Sequence, residues 1–380
     1  MLLETNQQIL EKNSDAVYSL FFEHLNLSKP QVAKLSGLSM PTVMSHIKRL
    51  ENEGLISKGE NISSDIGRPA RAYTLVVDAK VALGVEITSE FIKCAAFNLK
   101  AQLIGYKNYP IKCSNTVEYF DSICAFITSF YQDLGIEKSR ILGIGISIQA
   151  IVDSQGQHII YSEILPIKDI DVKRFSQTIG LPCRLFHDVE CATINELWFS
   201  STLSDAIFIS ISEHLGGCLI KDHKIEYGKF GYAGALEHMQ IHQHGRTCYC
   251  GKQGCLEAYC SMLSLQNESH ENVHEFFKKL RANDPKALEI WNEYINNLSI
   301  ALSNVYLLLD RDIILGGEIA LYLNNHDTQR LEAIIKSRTS FKIQDGFIRI
   351  AKIDQNATVL GAALFYLSKH LPANLIKVVF

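Results

Sequence analysis

From His238 to Glu257 the chain reads HMQIHQHGRTCYCGKQGCLE, in which Cys248, Cys250 and Cys255 form a C-x-C-G-x-x-G-C array. Three thiolates and one imidazole are the ligand set of a closed zinc site, because a d¹⁰ ion accepts soft sulfur and neutral nitrogen in a tetrahedron. Such a site leaves no position for water, so the metal is expected to hold the loop and not to catalyse. Gly251 and Gly254 fit a chain turning tightly around an ion, since glycine tolerates positive φ. The alternatives are ordinary buried thiols or a disulfide, and a Cys248–Cys250 bridge would be strained. On spacing alone the imidazole stays open among His238, His242 and His244. Glu257, just after the last cysteine, suits the first turn of a helix, where the dipole favours a carboxylate.

With 380 residues the chain has room for two or three domains with sizeable cores. Met1 to Leu20 lacks a basic start followed by an apolar core, and no apolar run reaches the ~18 residues of a membrane span, so no membrane partner and a cytoplasmic place are expected. Ten cysteines in such a chain then divide into metal ligands and reduced core residues such as Cys94, Cys124, Cys191 and Cys218. A net charge of -4 argues against non-specific coating of nucleic acid and leaves room for a local DNA-binding module.

The first ~75 residues predict three helices followed by a hairpin. Gln7 to His24 carries Leu10, Val17, Leu20 and Phe21 at helical spacing. Ser28-Lys29-Pro30-Gln31 is a capping box that opens a second helix with Val32 and Leu35 inward, ending at Gly37. Ser39 caps a third helix with Val43, Ile47 and Leu50 on one face. Two short helices around a tight turn are the helix-turn-helix plan. The third helix should expose Thr42, Ser45, His46, Lys48 and Arg49, and no acidic residue lies between His24 and Leu50 to repel phosphate. Leu55 to Lys58 and Ala72 to Leu75 read as strands of a wing, or as a plain linker turn. In the wing, Gly67-Arg68-Pro69 would carry a guanidinium into a minor groove and Arg71 would reach a phosphate. The DNA-contacting set is thus Ser39, Thr42, Ser45, His46, Arg49, Arg68 and Arg71.

After about Val77, strands alternate with helices, which predicts an α/β body. VALGVEI, FIKCAAFNL and LIGYKNYPI suggest an antiparallel opening to a sheet. A helix over Thr116 to Gly135 and a strand over Ile141 to Ile148 follow. Phe186-His187-Asp188 ends an apolar strand, and Asp188 either caps the next helix or offers a carboxylate to hydroxyl donors.

The run GALEHMQIHQHGRTCYCGKQGCLEAY resembles the signature of the ROK family (repressors, open reading frames, kinases), whose zinc sites use one His and three Cys at this spacing. The resemblance selects His238, Cys248, Cys250 and Cys255 as ligands of a structural zinc and implies that Glu257 accepts a sugar hydroxyl. The N-terminal segment is similar to the winged helix-turn-helix of ROK repressors, whose pattern GLS-x-x-TV is matched by Gly37-Leu38-Ser39-Met40-Pro41-Thr42-Val43. Over residues 80 to 370 the likeness implies a two-lobed, actin-like (ribonuclease H-like) sugar kinase fold. The expected layout is a winged helix-turn-helix over 1–77, a first lobe over 78–190 to which a C-terminal helix within 358–380 returns, and a second lobe over 191–357 with the zinc loop.

The same resemblance exposes departures. Where ROK kinases carry D-x-G-G-T for phosphate, this chain has Glu86-Ile87-Thr88-Ser89-Glu90, and where they carry G-T-G-x-G-x-G it has Ser212-Glu213-His214-Leu215-Gly216-Gly217-Cys218. Carboxylates thus stand where phosphates would bind, so no enzymatic activity is expected. Asp188 resembles the kinases' sugar base, with His187 in place of the usual Asn. The family's sugar-binding Glu, three residues before the zinc His, is here Ala235, and its Pro-Gly is Gln149-Ala150. The implied function is a sugar-responsive regulator, a repressor of carbohydrate genes, with sugar or sugar phosphate held by His187, Asp188, His238 and Glu257. Its implied partners are an operator DNA and a second copy of itself, as a homodimer or dimer of dimers. The alternatives are a sugar kinase with an appended DNA-binding domain and a constitutive DNA-binding protein with a vestigial cleft.

Overall fold

The computed structural model describes residues 6–62, 70–167, 171–200, 202–352 and 355–376. The N-terminal unit runs α1 (Asn6–Glu23), β1 (Leu27–Ser28), α2 (Lys29–Ser36), α3 (Met40–Asn52), β2 (Ile56–Ile62) and β3 (Ala70–Leu75). Ser28 N–H donates to Gln31 Oε1 at 2.8 Å, so the expected capping box opens α2, and Gly37 ends that helix at φ 69°. Ser39 accepts from Thr42 N–H and opens α3. Antiparallel β2 and β3 form the hairpin after α3, and β1 pairs with β3.

The small core of this unit gathers Val17, Phe21, Val32, Val43, Ile47, Leu50 and Ile56. Three expectations fail here. His46 is only 4% exposed, whereas Leu10 and Leu35 are 55% and 51% exposed. The buried set on α3 is Val43, His46, Ile47 and Leu50, which is one continuous helical stripe. His46 belongs to it by position, although its residue type suggests a surface. Leu10 lies about two turns before Val17, the first residue of α1 in the core. In the short α2, Val32 is the buried residue.

The body contains two five-stranded sheets. The first begins with β4 (Val81–Ile87), β5 (Phe91–Asn98) and β6 (Leu103–Pro110), antiparallel to one another as expected. After α4 (Val117–Asp133) come β7 (Ile141–Ile148), parallel to β4, a small hairpin of β8 (Ile151–Val152) and β9 (Ile159–Tyr161), and α5 (Val172–Ile179). Then β10 (Cys183–His187) pairs parallel with β7, giving the order β10-β7-β4-β5-β6, and α6 (Asp188–Phe199) follows at once.

The second sheet takes β11 (Ala206–Ile211), β12 (Leu215–Lys221) and β13 (Lys224–Glu226). The chain then makes the cysteine loop, α7 (Glu257–Cys260), α8 (Met262–Ser269), α9 (Val273–Arg281) and α10 (Pro285–Leu309) before β14 (Asp312–Gly316), α11 (Asn325–Ser337) and β15 (Ile348–Ile350). The strand order is β13-β12-β11-β14-β15.

One further helix, α12 (Ala357–Ser368), has no charged residue and is buried on almost every side. It packs against β4, β7 and α6, and its side chains share one apolar cluster with Ala82 and Phe97 of the first sheet and Phe208 and Ile314 of the second. At Gly361 a methyl would stand 1.9 Å from Cys191 O, so α12 and α6 touch backbone to backbone. Cys94, Cys124, Cys191 and Cys218 are buried free thiols. Two contacts tie α1 to the body: Lys100 Nζ donates to Phe22 O at 3.1 Å, and Ala373 N–H donates to Asp15 Oδ2 at 3.1 Å. Among the described residues, no helix is long and apolar enough to cross a membrane.

Candidate functional site

Parallel strands deliver side chains at their C-terminal ends, where loops lead away from the sheet. Here β7 is followed by Gln149 and Ala150, and β10 ends at His187 with Asp188 opening α6. The second sheet contributes Ser210 from β11, and Ser212 and His214 from the turn between β11 and β12. The short 3-10 turn Leu236–His238 and Tyr249 supply another wall. Together these line a cavity of about 570 Å³, open mouth included.

His187 and Asp188 face this cavity as a pair, with His187 Nε2 3.2 Å from Asp188 Oδ1. Burial pulls the His187 pKa down, and Asp188 opposes it. Val189 N–H donates to Asp188 Oδ1 at 2.8 Å, so the carboxylate is steadied by the first turn of α6 while its other oxygen carries no such bond. His238 and Tyr249 also line the cavity, and their rings meet edge to face at 5.3 Å.

Glu257 is placed differently from expectation. It is 4% exposed, its Oε1 lies 2.7 Å from His214 Nδ1, and its Oε2 accepts Leu215 N–H at 2.7 Å. It lines a neighbouring cavity and stands behind His214 and Tyr249 as seen from the cleft. Of the expected sugar set, the structure therefore brings His187, Asp188 and His238 together and holds Glu257 one layer back.

Glu237 adjoins His238 and lies two residues after Ala235, which holds the family's carboxylate position. It is 5% exposed, it lines the cavity, and its Oε2 has no hydrogen-bond partner. Burial pushes its pKa up to about 8. The neighbouring His238 Nε2 is likewise buried without a partner. The missed signal is local: in a 3-10 turn successive side chains step by a third of a revolution, so with Leu236 in the core the next two can both reach a cleft.

The cysteine loop gathers His238, Cys248, Cys250 and Cys255, whose ligand atoms all lie within 4.8 Å of one another. His238 Nδ1 is 3.9 Å from Cys248 Sγ, and the Cys250 and Cys255 sulfurs are 3.9 Å apart. Zinc bond lengths of ~2.3 Å to sulfur and ~2.0 Å to nitrogen imply ligand atoms roughly 3.5–3.8 Å apart, so this set fits the ion after a small contraction. Burial lowers the His238 pKa, which favours the neutral imidazole that a metal needs. The loop is braced by Cys248 N–H to Lys252 O at 2.8 Å and Gly251 N–H to Cys248 O at 2.9 Å. Gly254, at φ 80°, approaches so closely that a methyl would stand 1.6 Å from His242 O. The other two histidines are engaged or remote: His242 Nε2 is 2.8 Å from Asn297 Oδ1, and His244 is exposed.

In the turns after β4 and after β11, backbone donors are occupied within the protein. Thr88 Oγ1 accepts from Phe91 N–H at 3.2 Å and Glu90 N–H at 3.4 Å, Leu215 N–H is held by Glu257, and Ser212 Oγ accepts Glu318 N–H at 3.1 Å. Burial raises the pKa of Glu86, opposed by Lys93 and helped by Asp188 and Glu318, and burial followed by Glu213 raises that of Glu318.

On the N-terminal unit, Ser39, Met40, Met44, Ser45, Lys48 and Arg49 are exposed, with Thr42 half-buried. The Arg49 guanidinium donates to Ser14 of α1 and lies 3.5 Å from Glu53, which fixes it against the helix pair. Arg71 is exposed on β3, and Arg68 lies outside the described residues.

Comparison with known proteins agrees with both parts. A profile described as "ROK family" matches residues 82–369, and one described as "Winged helix-turn-helix DNA-binding" matches residues 23–57. The chain is 22% identical to the xylose repressor of Caldicellulosiruptor bescii, over 96% of this chain and 98% of that one. It is 23% identical to the DNA-binding transcriptional dual regulator NagC of Escherichia coli K12, over 85% of this chain and 80% of that one. Among solved structures, a ROK family transcriptional regulator homologous to the E. coli MLC protein superposes with a TM-score of 0.74 at 20% identity, covering 97% and 99% of the two chains.

Proposed function

The chain belongs to the ROK family, and on that premise we propose that it is a sugar-responsive transcription regulator, a repressor of carbohydrate uptake and catabolism genes working in the cytoplasm. The α3 helix enters a major groove, where its first turns meet base edges and Lys48 meets phosphate. Two copies of the chain read two half-sites spaced by one helical turn or a multiple of it. Sugar binds against His187, Asp188, Glu237 and His238, while Glu257 positions His214 behind them. Occupancy changes DNA affinity by however much more tightly one closure state holds the sugar, with ~1–3 kcal/mol of coupling typical of such systems.

Zinc is held by His238, Cys248, Cys250 and Cys255 and supplies a structural cross-link with no open position for chemistry. The observation that carries the regulator reading over a kinase is the asymmetry of the cleft. In the turns that match the kinases' phosphate loops, backbone donors are taken up internally and Glu86, Glu213 and Glu318 lie close by, which favours a reading in which no triphosphate binds. Among the residues that line the cavity, Glu237 and His238 each carry a buried polar atom without a hydrogen-bond partner in the protein.

The test is fluorescence anisotropy of the zinc-loaded protein on DNA from upstream of its own gene, at fixed salt, with and without a panel of sugars and with ATP. Specific binding that one sugar shifts, and that ATP leaves unchanged, supports the reading. Sugar-dependent ADP release would restore the kinase alternative.

A further inference from the structure

The outward face of α3 is less polar than its sequence suggests. Met40, Pro41, Met44, Ser45 and Lys48 follow helical spacing along one stripe, and all five are exposed. Met40 is 38% and Met44 48% exposed along one edge of that stripe, while Val43, His46, Ile47 and Leu50 turn to the core.

Several polar groups expected to read bases are spent inside the N-terminal unit. Ser39 Oγ and Thr42 Oγ1 are 2.9 Å apart and bond to each other at the cap. His46 is buried, and the Arg49 guanidinium is held by Ser14 and Glu53. Ser45 is the hydroxyl that remains on the outward face, beside Met44 and Lys48. The face still suits DNA, because His24 to Leu50 contains no acidic residue and Lys48 lies one turn beyond Met44 on the same side.

An apolar pair within such a face matches one feature of the major groove. The thymine C5-methyl is the apolar group among the base edges displayed there, and the others are hydrogen-bond donors and acceptors. Methionine is unbranched and polarizable, so it adapts to a small apolar partner. Four helical residues advance about 6 Å, and successive bases are about 3.4 Å apart. Met40 and Met44 therefore reach methyl groups one or two base steps apart.

We propose that Met40 and Met44 read thymine methyl groups and are specificity-determining residues of the DNA interface. Each half-site then carries two thymines one or two base steps apart. This rests on the reading of α3 as a major-groove helix and deepens it: Lys48 adds affinity for any sequence, and the methionine pair chooses among sequences.

The test starts from duplexes that the full, zinc-loaded chain selects out of a random-sequence pool, with affinities then measured by fluorescence anisotropy at fixed salt. Replacing a selected thymine by uracil removes the methyl and keeps every donor and acceptor of the base pair. Uracil at either position is expected to weaken binding about fourfold, as for one methyl-sized group taken out of an apolar contact. In Met44→Ala one of the two uracil effects should vanish, and in Met40→Ala the other. Met44→Leu, which keeps an apolar side chain, should retain the thymine preference. Because both methionines are exposed, each variant should melt with the parent. Selected sites without such thymines, or equal binding of the uracil duplexes, overturn the proposal and leave the regulator reading intact. Uracil effects that persist in both alanine variants assign the methyls to other residues and overturn it as well. Failure to select any sequence overturns the proposal together with the DNA-reading role beneath it.

Discussion

His214 Nδ1 lies 2.7 Å from Glu257 Oε1, across 43 residues of sequence, and Leu215 N–H binds the other oxygen of the same carboxylate at 2.7 Å. This clasp joins the turn between β11 and β12 to the end of the cysteine loop. Because Glu257 is 4% exposed, removing His214 strands part of a buried charge. His214→Ala and Glu257→Ala are each expected to cost about 1–3 kcal/mol. The double variant should cost less than their sum by ~1 kcal/mol or more. Denaturant melts of the four proteins check this, and strictly additive losses would mean that the two side chains do not support each other.

The metal set makes a second prediction. Cys250→Ser should release zinc, lower the melting temperature and abolish the sugar response together, because the ligand His238 is also a wall of the cleft. Metal analysis, thermal melts and anisotropy measured on one preparation suffice. A metal-free variant that still responds to sugar would separate the two roles.

On α3, burial sorts the residues into two classes. Lys48→Ala should leave stability within ~0.5 kcal/mol and reduce the slope of log affinity against log salt by about 1. Ser45→Ala should weaken specific binding by roughly 1 kcal/mol with an unchanged melt. His46→Ala should instead destabilise the fold by about 1–3 kcal/mol, because His46 is 4% exposed within the stripe of Val43, Ile47 and Leu50.

Glu190 on α6, which meets the His187 backbone, gives a pH dependence of stability. Burial pushes its pKa up to about 7, against the hydrogen bond from the Tyr227 hydroxyl and the charge of Arg184. An unfolded glutamate releases its proton near pH ~4.3. Between those values the folded chain holds a proton that the unfolded chain has lost, so stability falls as pH rises from 5 to 8. Glu190→Gln removes that loss, which is up to about 3 kcal/mol by linkage. The melting temperature of the variant should therefore gain on the wild type as pH rises, and a constant gap from pH 5 to 8 would exclude this origin.

Much of this architecture was legible because its signals are short. The capping box at Ser28, the antiparallel β4 to β6 and the strand β7 each depend on a few neighbouring residues. The cysteine array needs only its own spacing to suggest a metal, and the fold then places His238 beside it and draws His242 toward Asn297. What sequence reasoning missed depends on direction or on distance along the chain. The Glu257 side chain turns to His214, 43 residues away, and local spacing carries no sign of that partner. Glu237 stands at a different offset from His238 than the family's carboxylate, and a 3-10 turn makes offset a poor guide to where a side chain points. His46 was read by residue type, whereas helical position decides its burial.

The contact at Gly361, where a methyl would stand 1.9 Å from Cys191 O, has a mechanical consequence. Side-chain layers absorb small displacements by changing rotamers, but two backbones in direct contact have no such slack. The α6 helix starts at Asp188 in the cleft, α12 lies against it, and the segment after α12 reaches Asp15 of α1 through Ala373 N–H. A tilt of α6 would therefore be handed to α12 as rigid-body movement, along a path that leads from the cleft to α1 of the N-terminal unit.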